Sequence, residues 1–194
     1  MSRAERSLFS GWWWTVDRWF ISAIGALMVL GIVLTLAGSP PVAERLGLSP
    51  FHFVNRQILY LVPAGMLMLL VSFMSPRWVR RSALIIFIAA MALVIASLLW
   101  GVEIKGARRW IFGIQPSEFV KPAFVILAAW AFSEGARHND MPGNLLAIAL
   151  LPITITPLMM QPDFGQTMLI SIVWASLFFT AGLHWFWVAG IGGI

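Results

Sequence analysis

Long apolar runs separated by short polar connectors organise this chain. They lie at about 19–37, 53–73, 83–100, 116–133, 145–160 and 167–182. Their hydrophobicity is continuous, neither alternating nor confined to a stripe, which predicts helices long enough to cross a hydrocarbon layer of about 30 Å. Gly38-Ser39-Pro40-Pro41 ends the first run and Ser75-Pro76 the second, and the connector 42–52 has room for a surface helix. Proline at a first helical position and an acid in the first turn place the fourth helix start at Gln115-Pro116-Ser117-Glu118. Pro122 lies inside that run, where it can bend the helix. The last two runs are shorter than the roughly 17–25 residues of a spanning helix. They are expected to borrow length from Gln161-Pro162-Asp163-Phe164-Gly165-Gln166; a re-entrant pair is the alternative, since non-helical backbone at depth needs protein or water to satisfy it. A seventh run starts at 185–194. A membrane protein rarely ends half-way across a bilayer, so a fragment is expected.

Residues 1–18 read as a cytoplasmic or interfacial arm, with Arg3, Arg6 and Arg18 beside Trp12, Trp13 and Trp14. Tryptophan favours the headgroup layer. The long polar lead, the long run after it and the lack of a small-residue cleavage site favour an uncleaved first span over a signal peptide. The remainder, 19–194, reads as one membrane domain.

Composition agrees with the pattern. Of 194 residues 60% are hydrophobic and 11% charged, and the mean hydropathy is +0.86; soluble domains carry about 25% charged residues. The fold class is therefore all-α, a polytopic transmembrane helical protein. The formal charge of +5 reports topology and anionic lipid here, and does not point to nucleic acid. No cysteine is present, which excludes disulfides and thiolate metal sites. His52, His138 and His184 lie far apart, so the sequence offers no metal site.

The connector 76–82 holds Arg77, Arg80 and Arg81 without an acid. A short basic loop of this kind faces the cytoplasm, which puts the N-terminus inside and the connector 101–115 outside. That outer connector and the helix start after it are the most charged part of the chain, with Glu103, Lys105, Arg108, Arg109, Glu118 and Lys121. A basic cluster outside runs against the positive-inside trend. It suits either an anionic ligand, because forked arginine donors match phosphate oxygens, or plain contact with lipid headgroups. Ser117, Glu118 and Lys121 share a helical face, where Glu118 and Lys121 can pair. Arg56, in the first turns of the second span, either snorkels to the interface or points into a polar cavity. Asp163 is either a helix N-cap or a functional carboxylate.

KGARRWI (105–111), QPSEFVK (115–121) and QPDFGQT (161–167) occur in this order between apolar spans. The arrangement resembles the SEDS family of cell-wall proteins, which includes FtsW, RodA and SpoVE, from FHFVNRQ (51–57) through AGLHW (181–185). WWWTVDR (12–18) and the run from FVNRQ to PSEFVKPAFV look most like the FtsW branch, the division members. The connector 111–114 is shorter than the family pattern. The resemblance implies a ten-helix fold, of which about six spans and the start of a seventh lie here. It implies a peptidoglycan glycosyltransferase that polymerises lipid II at the outer face of the bacterial cytoplasmic membrane, at the division septum. The implied partners are lipid II, a class B penicillin-binding protein, other division proteins and membrane lipids.

The family's catalytic aspartate belongs to a later outer loop, so the resemblance assigns no catalytic residue in this chain. It carries substrate-binding roles onto Arg109, Glu118 and Lys121, with Lys105, Arg108 and Arg56 as weaker candidates, and marks Gln115, Pro116, Gln161, Pro162, Asp163 and Gly165 as structural motif. No cofactor is implied, although a divalent cation could share the diphosphate charge. Two other readings stay open: a lipid II flippase, marked by charges lining a path through the midplane, and a non-catalytic division scaffold.

Overall fold

The computed structural model describes residues 8–104, 106–137 and 142–182. Arg3, Arg6, Lys105, His138, His184 and the run 185–194 fall outside the described residues. The chain divides into two compact units, Met1–Met74 and Ser75–Ile194.

The first unit contains α1 (Leu8–Thr15), α2 (Arg18–Gly38), α3 (Pro40–Arg45) and α4 (His52–Ser72). Asp17 starts α2, its carboxylate accepting from the Phe20 N–H at 3.1 Å, a cap of about 1 kcal/mol. Two prolines open α3, where their missing N–H groups cost nothing. No residue of α2 is buried, so its apolar surface is left for lipid or for protein outside the described residues. Where α2 meets α4 the contact uses glycines: Gly31 lies against the Gln57 amide and Gly65 against the end of Met28. Trp12 clips α1 to the end of α4. Its ring stacks on Phe73 at 4.9 Å and its Nε1 donates to Ser72 Oγ at 2.8 Å. Arg56 is exposed, with its guanidinium 5.9 Å from the Tyr60 ring one turn on.

The second unit contains α5 (Pro76–Trp100), β1 (Val102–Ile104), β2 (Ala107–Trp110), α6 (Ser117–Arg137), α7 (Gly143–Met160) and α8 (Phe164–Thr180). Two predicted connectors prove structured, and one helix outruns its apolar stretch. The basic stretch 76–82 is the opening of α5 and not a connector. Pro76 sits at its first position, and arginine is a good helix former. Hydropathy marks where the membrane ends, which is not where the helix ends. For the same reason α6 runs on to Arg137, past the predicted end at 133. The connector 101–115 holds an antiparallel hairpin, β1–β2. Among the described residues of the whole chain, five helices (α2, α4, α5, α6 and α7) are long and apolar enough to cross a membrane, and α8 is a shorter apolar helix of 17 residues. It begins at Phe164, so it takes in three residues of the QPDFGQ segment.

Helix α6 is the centre of this unit. Val120, Ala123, Phe124, Leu127, Ala128 and Ala131 are buried along it, facing Ala83, Phe87, Ala90 and Val94 of α5, Ala147 and Leu158 of α7, and Ile170, Trp174 and Phe178 of α8. The many alanines let backbones approach closely, which is how helices associate where lipid is as apolar as the core. The closest approach joins α6 and α7. Gly143 leaves no room for a Cβ, which would strike the Ala131 carbonyl and stand 2.5 Å from the Gly135 nitrogen. At the same end Arg80 of α5 lies over the Trp130 ring of α6 at 4.8 Å, a cation–π contact across the helix pair. Deeper in, Trp174 packs against Phe132 and Phe178 with centroids 6.0 and 5.0 Å away, and its Nε1 donates to the Ala147 carbonyl at 2.8 Å.

Candidate functional site

The end of α5, the hairpin, the start of α6 and the turn between α7 and α8 meet at one end of the second unit. Antiparallel connection of successive helices puts them there. The hairpin pairs Glu103 with Arg108 and Ile104 with Ala107. Strand residues alternate between faces, and β2 shows it: Arg108 and Trp110 are exposed, while Ala107 and Arg109 are half-buried. The adjacent arginines therefore do different things. Arg108 reaches across the exposed face to Glu103 at 3.5 Å, both side chains about half exposed at 49% and 58%, a pair worth little in solvent. Arg109 turns inward onto the α7–α8 turn. Its Nε donates to the Gln161 carbonyl at 3.3 Å, its Nη2 to the Pro162 carbonyl at 2.5 Å, and its Nη1 stands 3.6 Å from Asp163 Oδ1.

After β2 the chain reverses through Phe112 and Gly113, both at positive φ (52° and 74°), between the bridged residues Ile111 and Ile114. Positive φ at both central residues is the signature of a tight two-residue hairpin turn. It explains how the short connector 111–114 suffices. Gln115 then donates to Ser117 Oγ at 3.1 Å, with Asp163 Oδ2 at 3.5 Å. Pro116 is buried immediately before α6, and its carbonyl accepts from Phe119 and Val120.

Asp163 sits at the first position before α8 and is buried, yet its side chain caps no N–H. The N-cap position expected for it is therefore borne out but the capping bond is not: the carboxylate turns to the Arg109 cation instead of an orphan amide. Gln161 is fully buried; its amide donates to Ser97 Oγ at 2.6 Å and to the Val94 carbonyl at 3.2 Å. The turn is thereby fixed to α5. Nothing crowds Gly165, and the structure gives no reason for glycine there.

A second network lies on the exposed side of α6. Lys121 Nζ pairs with Glu118 Oε2 at 2.7 Å, as the i,i+3 spacing predicts, and Gln166 of α8 donates to Glu118 Oε1 at 2.8 Å. Gln166 was missed as a site residue; its only signal was its place in the QPDFGQT motif. Lys121 is 23% exposed, so its ammonium is kept near the protein surface by one carboxylate. Arg108, Arg109 and Lys121 thus each have an acid within reach, and the predicted basic cluster is, among the described residues, a set of ion pairs. Lys105 lies outside the described residues, and Arg56 belongs to the first unit.

Residues 18–194 match the family model described as cell cycle protein, covering FtsW, RodA and SpoVE. The chain belongs to this family. One FtsW/RodA/SpoVE relative, from Caulobacter vibrioides, is named probable peptidoglycan glycosyltransferase FtsW; it is 41% identical over 198 residues, covering the whole of this chain and 51% of the relative. A protein of the same name from Marinomonas mediterranea is 32% identical, covering 84% of this chain and 42% of its own. The chain spans about half the length of the curated relatives it matches. Among solved structures, the rod shape determining protein RodA of Thermus thermophilus superposes with a TM-score of 0.70 at 27% identity, over 89% of this chain and 56% of RodA. The family and the all-α polytopic membrane fold read from the sequence are both upheld.

Proposed function

We propose that this chain supplies the N-terminal membrane portion of a peptidoglycan glycosyltransferase of cell division, acting on lipid II at the outer face of the cytoplasmic membrane. The observation that carries the reading is the Lys121–Glu118–Gln166 network beside the Arg109-bound hairpin. Glycan transfer from lipid II breaks the bond between the sugar and a lipid diphosphate, so negative charge grows on the departing phosphate. A cation already oriented by fixed partners stabilises that charge without reorganising during the step. Glu118 holds Lys121 in this way, and Arg108 presents a second cation, a guanidinium, on the open face of the hairpin. Asp163 is paired with Arg109, and the role of base is given to no residue of this chain. Among the described residues no three His, Asp or Glu side chains converge, and no step is routed through a divalent cation.

The charged groups of the second unit lie at its helix ends, among the described residues, and not along a path through its middle. That supports chemistry at the surface over transport through the bilayer. In the full-length gene product, Lys121→Ala and Glu118→Ala are each expected to slow polymerisation of lipid II about 100-fold, the size of effect seen on losing a charge-stabilising donor. Polymer formation at the parental rate by both variants would falsify the reading, and lipid scrambling without polymer would favour a flippase.

The proposed orientation has its own test. These 194 residues hold no cysteine, so one introduced here is the single labelling site within them, and the protein without it serves as the control. Glu103→Cys is expected to react with an impermeant maleimide in spheroplasts, and Arg77→Cys only after permeabilisation. The reverse pattern would invert the topology. Septal placement and a class B penicillin-binding protein partner complete the proposal, and loss of septal localisation on deleting that partner tests both.

A further inference from the structure

We infer that Asp163 is the positioning residue for Arg109, and that this pair seats the β1–β2 hairpin on the α7–α8 turn. A two-stranded hairpin is at best marginally stable alone, and this one is three and four residues long. Something outside it must fix its position. Gly101 provides one tie, since its N–H donates to the Ser97 carbonyl at 2.8 Å as the strand leaves α5. Arg109 provides the other. Three different nitrogens of its side chain address three consecutive residues of the turn, two carbonyls and one carboxylate. A guanidinium engaged in three directions is committed to architecture. Its influence on a ligand passes through where it holds Arg108, on the opposite face of the same strand.

Asp163 is what makes that arrangement stable. Carbonyl oxygens alone leave the positive charge of Arg109 uncompensated in a half-buried place, and the carboxylate of Asp163, only 5% exposed, has its cation partner in Arg109 at 3.6 Å. The Gln115 amide near its second oxygen and the Gln161 side chain anchored on Ser97 and Val94 keep the turn from following the hairpin if the pair opens. The turn is the fixed member and the hairpin the held one. Lysine cannot replace Arg109, because a single ammonium cannot reach three acceptors in this geometry.

The test uses the full-length protein in detergent and two readouts, of which only the activity arm rests on the glycosyltransferase reading. Amide hydrogen exchange across 102–110 is expected to quicken roughly tenfold in Asp163→Asn, reporting local opening. Arg109→Lys is expected to do the same, and the double variant no more than either, because the two residues act as one unit. Asp163→Glu keeps the charge and is expected to restore most of the protection. Polymerisation should follow the same order, with the losses of Asp163→Asn and Arg109→Lys not multiplying. Parental exchange at 102–110 in either single variant overturns the inference, as do losses that multiply. If Asp163→Asn does not accumulate, Arg109→Lys alone decides, since it leaves the buried carboxylate a cation. A protein with altered exchange but no polymerisation under any condition would sink the enzymatic reading and leave the seat standing.

Discussion

Gly143→Val is expected to part α6 from α7 and destabilise the second unit by about 3 kcal/mol or more. The added side chain meets the backbone of α6. Beyond the Ala131 carbonyl and the Gly135 nitrogen, even its first carbon would stand 2.8 Å from Gly135 Cα. Backbone within two helices cannot swing aside as a flexible side chain can. The helices must slide or separate, and α6 is the element on which α5, α7 and α8 all pack. The reverse face of the contact is equally tight, since a Cβ on Gly135 would come 2.6 Å from the Asn144 side chain. The fraction of purified protein still monodisperse after heating measures the effect. A midpoint equal to the parent would show that the crossing is looser than described.

Trp174→Ala is expected to cost about 3 kcal/mol or more. In a bilayer the gain from removing apolar surface from water is largely absent, because lipid receives the unpacked side chain as readily as the core does. What remains is packing. Trp174 fills the space between Phe132 and Phe178, and its deletion leaves a void that those rings cannot both enter. The Ala147 carbonyl also loses an added donor. Trp174→Phe separates these contributions: it retains most of the ring contact and is expected to cost only about 1 kcal/mol, the net worth of one hydrogen bond. Heating assays on the two variants give the comparison. Equal losses would assign the effect to the hydrogen bond and not to packing.

The helices were legible in the sequence because apolar runs of spanning length have few other uses. Their ends were not, because a helix continues into the headgroup layer wherever good helix formers follow, as at Arg77–Arg81 and Glu134–Arg137. The hairpin was hidden by its brevity. Four residues, Ala107 to Trp110, alternate in burial, but a pattern that short cannot be told from a charged loop. The Glu118–Lys121 pair was readable because it is local, set by helical spacing alone. Arg109 with Asp163 and Gln166 with Glu118 join residues 54 and 48 apart, and no local rule reports them. The Trp174 bond to the Ala147 carbonyl on α7 spans 27 residues and was hidden for the same reason.

Pro122 has a further consequence. A proline withholds the N–H that would close a helical bond to the residue four positions earlier, and here that residue is Glu118. The Glu118 peptide oxygen is left without its helical donor one turn into α6, on the helix that carries Lys121. Helix starts ordinarily offer only spare donors. This one has a hydrogen bond missing within the helix as well, so the Glu118–Lys121 pair is carried on the turn of α6 that its own backbone ties least. The charged pair and the hydrogen bond from Gln166 then supply the tie at this turn that the backbone lacks.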